Sequence, residues 1–167
     1  MAQAILADAL ARLGVAARVR SAGTHAVPGP PSPGATAALR ARALDLPDHR
    51  SRPLRPADVR AADLVLGMTR AHVTAARALA PDRADRVFLP GELARLGAGA
   101  GPRRPDEAPA DWVARVAGCR PDPHAPGLPA DEVPDPAGGS AGVYRATAER
   151  LAGELVPVAR LLGGGRA

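Results

Sequence analysis

One carboxylate in the C-terminal part of the chain is held between conformationally restricted residues. Asp135 lies between Pro134 and Pro136, and Gly138 and Gly139 follow before a long segment with helical periodicity. Pro136 favours an extended backbone at Asp135, and the glycines allow a sharp turn into the next segment. A carboxyl group on such a stiff loop suits a general acid, which has to be positioned before its pKa is tuned. An ordinary solvated turn explains the same residues, because Asp-Pro is a common turn signal.

Three further side chains are of types that can take part in catalysis or binding, and each also has a purely structural explanation. Ser21 ends a strand-like stretch, where its hydroxyl can bond to its own backbone. His49 opens the loop His-Arg-Ser-Arg, and its structural explanation is a solvated loop histidine. Cys119 is the only cysteine, which excludes an internal disulfide and a cysteine-rich metal site. We expect Cys119 and Trp112 to be packing residues.

The hydrophobic pattern predicts helices alternating with short strands, which is typical of an α/β domain with a parallel sheet. Helices are predicted at 1–13, 33–43, 56–62, 69–79 and from 144 onward, and strands at 15–22, 64–68 and 87–89. Residues 93–127 are rich in Pro, Gly and Asp, and we expect one helical patch there, at 112–116. Ser32 and Thr69 are the expected helix caps. Pro157 predicts a kink near Gly153 in the last helix.

Composition limits the functional classes. The 167 residues carry a formal net charge of +5 and contain no lysine, so arginine supplies every basic side chain other than histidine. We attribute this bias to the codon usage of a GC-rich bacterium, and with 2% aromatic residues it gives little support for nucleic-acid binding. The apolar stretches are too short for a membrane helix, and we expect a cytoplasmic protein without cofactors or metal.

Five stretches, in this order, resemble the low-molecular-weight protein tyrosine phosphatases. They are residues 1–6, Arg-Ser-Ala-Gly-Thr at 20–24, His-Arg-Ser-Arg-Pro-Leu at 49–54, Ala-Asp-Leu-Val-Leu-Gly-Met-Thr-Arg at 62–70, and the Asp135 loop. The resemblance implies a three-layer α/β fold with a four-stranded parallel sheet. It also implies that Asp135 is the general acid and base, and that Ser21 and His49 support the phosphate-binding loop by hydrogen bonds.

The family's nucleophile is a cysteine in a loop of pattern Cys-x5-Arg at the end of the first strand, directly before the first helix. Residue 125, six positions after Cys119, is alanine, and the chain contains no such loop. Met1 resembles a methionine that follows this loop in the family. We therefore expect residues 1–167 to form a single domain that is truncated at its N-terminus and lacks the first strand, the nucleophile and the phosphate-binding arginine.

The resemblance implies hydrolysis of a phosphoester on a protein, phosphotyrosine above all, through a phosphocysteine. Tyrosine phosphatases of the family carry an aromatic residue after the Asp-Pro pair, where this chain has Ala137. The Asp-Pro-x-Gly-Gly-Ser form also resembles the family's protein-arginine phosphatases, although those have Phe at x. The arsenate reductases need two further cysteines, which argues against that branch.

Whether the protein is an enzyme stays open at the level of sequence. We expect the 167-residue chain to be inactive and a longer product with the Cys-x5-Arg loop to be active. The alternative is a non-catalytic member that binds a phosphorylated protein or another partner.

Overall fold

Helices predominate in the part of the chain that the structure describes, with two short strands between them. The structure, a computed structural model, describes residues 1–25, 28–45 and 49–165. Its elements are α1 Ala2–Arg12, α2 Pro33–Arg40, α3 Pro56–Ala61, β1 Val65–Leu66, α4 Arg70–Leu79, β2 Val87–Phe88, α5 Pro90–Ala100, α6 Pro109–Ala117 and α7 Ala141–Leu162. Two 3-10 turns lie at Pro81–Arg86 and Pro129–Asp131.

The strands form a small parallel sheet. Val65 pairs with Val87 and Leu66 with Phe88, and the N–H of Gly67 donates to the carbonyl oxygen of Phe88 at 2.9 Å. The predicted mixed α/β architecture with a parallel sheet is confirmed. Within the described residues this sheet has two strands.

The strand predicted at 15–22 is wrong. These residues form no ladder with another described segment, because no described strand offers them a row of hydrogen-bond partners. The N–H of Val15 instead donates to the carbonyl oxygen of Leu10 at 2.9 Å, closing the end of α1. Further along, Gly23 makes an isolated parallel bridge with Pro53.

The two helices at the ends of the chain, α1 and α7, pack on each other and build the main hydrophobic cluster together with α2. On α7 the predicted stripe is buried at Tyr144, Ala148, Leu151, Leu155 and Val158. The stripe forms because residues three or four apart lie on one face of a helix. α7 runs through Pro157 to Leu162 as one helix.

Helix caps occur where the sequence predicts them. The Ser32 hydroxyl accepts a hydrogen bond from the N–H of Ala35 at the start of α2, and the Thr69 hydroxyl accepts one from the N–H of His72 at the start of α4. Each cap satisfies an N–H that has no partner inside its helix.

Helix α5 is not predicted by the sequence pattern, because most of its residues lie in the segment 93–127, which is rich in Pro, Gly and Asp. Pro90 begins the helix, and the Glu92 carboxylate accepts a hydrogen bond from the N–H of Leu89. A Cβ at Gly97 would lie 3.0 Å from a methyl carbon of Leu161, so glycine allows α5 to approach α7 closely. Trp112 is fully buried in the cluster beside this contact, as predicted.

Cys119 was expected to be a packing residue, and this expectation is wrong. It is exposed after the end of α6, and its sulfur lies 3.6 Å from the carbonyl oxygen of Arg115. The chain turns outward there because the fully buried face of α6 is formed by Trp112, Val113 and Val116.

Candidate functional site

A polar groove beside the first turn of α1 brings together two of the predicted site residues. It encloses about 200 Å³, and Ser21 and His49 lie in its wall. The full lining is Gln3, Arg20, Ser21, His49, Arg50 and Arg52. Residues far apart in sequence therefore meet here, and most of them are basic.

Gln3 connects the start of α1 to the segment that carries Ser21. The Ser21 hydroxyl donates to Oε1 of Gln3 at 2.6 Å, and Nε2 of Gln3 donates to the carbonyl oxygen of Val19 at 3.4 Å. The amide side chain thus substitutes for part of the backbone pairing that residues 15–22 lack. Gln3 was not recognised from the sequence as a site residue.

Backbone hydrogen bonds hold the loop of His49 against the segment of Ser21. The N–H of Gly23 donates to Arg52 O and the N–H of Leu54 donates to Gly23 O, both at 2.9 Å. The N–H of Ser51 donates to Gly29 O at the same distance. These three bonds fix the His-Arg-Ser-Arg loop as one wall of the groove.

The groove carries more positive than negative charge. Arg52 is paired with Asp58 at 2.7 Å, whereas Arg50 donates to a neutral group, the carbonyl oxygen of His49. Within the described residues, Arg20 makes no side-chain hydrogen bond or ion pair that would neutralise it. Burial lowers the pKa of His49, and the nearby positive charges of the Met1 amino group and Arg50 lower it further.

Sequence reasoning missed the arginines of this groove. Arg20 precedes Ser21, and Arg50 and Arg52 follow His49, so these two predicted site residues each have basic neighbours in sequence. This clustering of arginines around Ser21 and His49 was the sequence signal that could have revealed the basic character of the groove. The meeting of the two basic stretches depends on the bridge between Gly23 and Pro53, which sequence alone does not reveal.

Asp135 lies on a turn that is anchored to the sheet. The N–H of Val133 donates to Met68 O at 2.8 Å, so the loop starts at the carboxyl end of β1. The Asp135 carboxylate accepts a hydrogen bond from the N–H of Ala137 at 3.0 Å, and Gly138 adopts a φ of +77°, which favours glycine. Asp135 is exposed and is not among the residues that line the groove.

In the parts of the chain that the structure describes, no group of three or more His, Cys, Asp and Glu side chains is arranged to hold a metal ion. None of the described helices combines the length and the apolar character needed to cross a membrane.

The family model and the solved structures that match this chain indicate the same family. Residues 1–95 match the family model of the low molecular weight phosphotyrosine protein phosphatases, whereas no curated protein gives a significant match. Among solved structures, a YwlE mutant from Bacillus subtilis is 28% identical with a TM-score of 0.70, over 95% of this chain and 86% of that one. Another solved structure, also 28% identical with a TM-score of 0.70, is of a YwlE arginine phosphatase.

A low molecular weight protein tyrosine phosphatase from T. tengcongensis is equally similar. It is 28% identical with a TM-score of 0.70, over 96% of this chain and 88% of that one. The family model extends over more than half of the chain, from α1 through β2 into α5. The chain therefore belongs to the low molecular weight phosphotyrosine protein phosphatase family.

Proposed function

We propose that this chain carries the acid and the supporting residues of a phosphatase that hydrolyses a phosphoester on a protein. The observation that carries the proposal is the meeting of Ser21 and His49 in one groove beside the first turn of α1. The attachment of the Asp135 loop at the carboxyl end of β1 supports it, because ligands of open α/β sheets bind outside these strand ends. Residues 1–167 act as one domain in this proposal.

The proposed roles follow the chemistry of phosphoryl transfer. Asp135 protonates the leaving oxygen and later activates water, as a positioned carboxyl group can. Ser21 and His49 brace the phosphate-binding loop. The nucleophilic thiolate, which forms the phosphocysteine, and the cradle of N–H groups and arginine belong to a Cys-x5-Arg loop. The 167 residues contain no such loop, so we expect them alone to give no turnover of p-nitrophenyl phosphate.

The proposed substrate is phosphotyrosine in a protein, with phosphoarginine as the alternative. Ala137, directly after the Asp-Pro pair, provides no aromatic ring to stack on a phenyl group. The two relatives above, one an arginine phosphatase and one a tyrosine phosphatase, are equally similar to the chain. Turnover of phosphotyrosine and phosphoarginine peptides distinguishes the two substrates, when both are measured on one preparation of a chain that carries a Cys-x5-Arg loop.

A graft tests the proposal. A strand and a Cys-x5-Arg loop from the T. tengcongensis phosphatase are placed before Met1, and hydrolysis of p-nitrophenyl phosphate is measured. We expect turnover, and we expect Asp135→Asn to lower kcat by about 10²–10⁴-fold, the usual contribution of a positioned acid. The variants Asp106→Asn, at another exposed loop carboxylate, and Cys119→Ala should leave the activity unchanged.

Two outcomes would contradict the proposed roles. A loss of less than about threefold in Asp135→Asn would mean that another group protonates the leaving oxygen. Loss of activity in Cys119→Ala would mean that the nucleophile does not come from the grafted loop.

A further inference from the structure

The loop that carries Asp135 makes its own hydrogen bonds locally. Among the described residues, the recorded bonds of 134–140 close within the loop or onto the first turn of α7. The N–H of Ala137 donates to the Asp135 carboxylate at 3.0 Å. The N–H of Gly139 donates to Pro136 O at 2.9 Å. The place of the Asp135 carboxylate is therefore set at the two ends of the loop, at its junction with the sheet and at the start of α7.

The two ends of the loop differ in stiffness. Towards the sheet, Pro134 has a fixed φ, and Pro136 favours an extended backbone at Asp135. Towards α7, Gly138 and Gly139 have wide conformational freedom, and Gly138 adopts a φ of +77°. A displacement of the residues just before Pro134 therefore reaches the Asp135 carboxylate, whereas the glycines absorb a displacement of α7.

Glu132 supplies a side-chain anchor at the sheet end of the loop, three residues before Asp135. Its Oε1 accepts a hydrogen bond from the N–H of Arg70 at 2.7 Å and lies 3.3 Å from Nε of the same residue. The adjacent Val133 is buried, and its N–H donates to Met68 O at 2.8 Å. Glu132 and Val133 thus attach the loop to both sides of the junction between β1 and α4.

The bond to Arg70 also completes the N-terminus of α4. The first N–H groups of a helix have no partner inside it, and they favour a negative charge. Thr69 accepts a hydrogen bond from the N–H of His72 there, and the Glu132 carboxylate accepts one from the N–H of Arg70. That N–H, with a smaller contribution from the Arg70 guanidinium, lowers the pKa of Glu132. The carboxylate is therefore charged at neutral pH, which strengthens the bond.

Neighbouring contacts hold the 3-10 turn before Glu132 to other helices. The Asp131 carboxylate pairs with Arg95 of α5 at 2.8 Å. Arg150 of α7 donates to Ala130 O at 2.7 Å. These contacts fix the turn, and Glu132 then directs the chain from the turn to the carboxyl end of β1.

We propose that Glu132 is a positioning residue for Asp135. Its carboxylate fixes the base of the loop on the first turn of α4, and the prolines carry that position to the acid. The inference rests on the proposed function, because it assigns to Glu132 the placing of the group that protonates the leaving oxygen. Glu132 acts through Asp135 and has no chemical step of its own.

The anchor is tested on the 167-residue chain by NMR-detected hydrogen exchange. In Glu132→Ala the Val133 amide should exchange about tenfold faster or more, because the loss of a charge-assisted hydrogen bond lets the loop open. The Ala137 amide, which is bonded to Asp135, should change its chemical shift. Glu132→Gln keeps an oxygen that can accept from Arg70 and should accelerate exchange only about threefold, since a neutral acceptor gives roughly half the free energy.

Glu149→Ala is the matched control, because Glu149 is exposed on α7 and its removal changes the net charge equally. It should leave both amides unchanged. The Gly67 amide should stay protected in every variant as a check of folding, and if Glu132→Ala loses that protection, the Glu132→Gln result decides. Unchanged Val133 and Ala137 amides would overturn the proposal, whatever the activity of a grafted enzyme.

Activity tests the role in catalysis, using the graft described above. Glu132→Ala should lower kcat about 10–10²-fold and change KM less than about twofold, because a misplaced acid weakens only the transition state. In the Asp135→Asn background the same change should cost less than about twofold, since the proton transfer that it serves is already lost. Glu149→Ala should leave both constants unchanged.

An equal loss from Glu132→Ala in both backgrounds would overturn the proposal, because Glu132 would then support the site as a whole and not through Asp135. A graft without turnover counts against the proposed function, and the amide exchange of the 167-residue chain then decides the anchor alone. The two proposals therefore fail independently.

Discussion

The Ser21 hydroxyl donates a 2.6 Å hydrogen bond to Oε1 of Gln3, which joins the segment at 15–22 to the first turn of α1. The same amide donates to Val19 O, so among the described residues Gln3 makes both side-chain hydrogen bonds recorded between α1 and this segment. A single glutamine thereby positions a predicted site residue that is not held by a β-ladder.

Replacement of this glutamine tests the link. Gln3→Ala should lower the free energy of unfolding by about 1 kcal/mol, the usual net contribution of a hydrogen bond. Gln3→Glu keeps an acceptor for Ser21 and should lose less. In a double-mutant cycle with Ser21→Ala, measured by urea unfolding, the two losses should not add. Strict additivity would show that the bond contributes nothing to stability.

Hydrogen exchange distinguishes the unpaired segment from the sheet. Among the described residues, the N–H groups of 16–22 donate to no recorded acceptor, whereas the N–H of Gly67 donates to Phe88 O. Amides at Ala17 and Val19 should therefore exchange much faster than the amide of Gly67, because exchange follows local opening. NMR-detected exchange in a monomeric sample measures this, and equal protection at the two places would contradict the unpaired arrangement.

Removing one partner of the ion pair between Arg120 and Glu92 should be strongly destabilising, because the other charge would stay buried without a partner. Nε of Arg120 lies 2.8 Å from Oε1 of Glu92, both side chains are almost fully buried, and the guanidinium stacks 3.7 Å from the centre of the Phe88 ring. Arg120→Met leaves the Glu92 carboxylate buried without its partner and should cost about 3–5 kcal/mol.

Replacing both members with Met should cost less than the sum of the single changes. Arg12→Met removes the exposed pair with Asp8 and should cost much less, because exposed ion pairs are screened by solvent. Chemical denaturation of the four variants measures these differences. A loss in Arg120→Met no larger than in Arg12→Met would contradict the importance of the buried pair.

The pairing of Glu107 with Arg115 should make stability depend on acid pH. Hydrogen bonds from Arg115, together with the N–H of Arg104, lower the pKa of Glu107 from 4.5 to about 2. The folded state therefore binds this proton less readily than the unfolded state. The stabilisation is fully present above pH 4.5 and is lost as the pH falls to about 2.

Glu107→Gln removes this titration. The variant should be less stable than the parent at neutral pH, and the difference should shrink as the pH falls from 4.5 to about 2. Urea unfolding across this range measures the effect, with Asp106→Asn as a neighbouring control. A difference that stays constant down to pH 2 would assign the effect to packing instead of charge.

The sequence predicts the elements that depend on local rules. The helix stripe of α7 and the caps at Ser32 and Thr69 need only residue spacing and a hydroxyl before the first turn. The alternation at 15–22 predicted a strand wrongly, because alternation reports which side chains share a face and says nothing about a pairing partner. Helix α5 was missed because Gly91, Gly97 and Gly99 indicate a loop until the close packing of Gly97 against Leu161 is known.

The candidate site was only partly accessible from sequence. Ser21 and His49 followed from the family resemblance, and the structure brings both to one groove, while the roles assigned to them stay predictions. The charge excess arises where the Arg20 segment meets the Arg50 loop, and that meeting depends on hydrogen bonds between Gly23 and the residues around Pro53. Such tertiary contacts have no periodic signal in sequence.

Pro157 leaves a gap in the hydrogen bonding of α7 at the point where two hydrophobic clusters meet. Proline has no N–H, so the Gly153 carbonyl oxygen lacks its helical donor, and both residues face solvent, where water can enter. Beyond the proline, Val158 and Leu161 pack around Trp112, whereas Ala159 stays in the cluster of α1 and α2. The last turns of α7 therefore join the two clusters, and opening of the helix at Pro157 would disturb both at once.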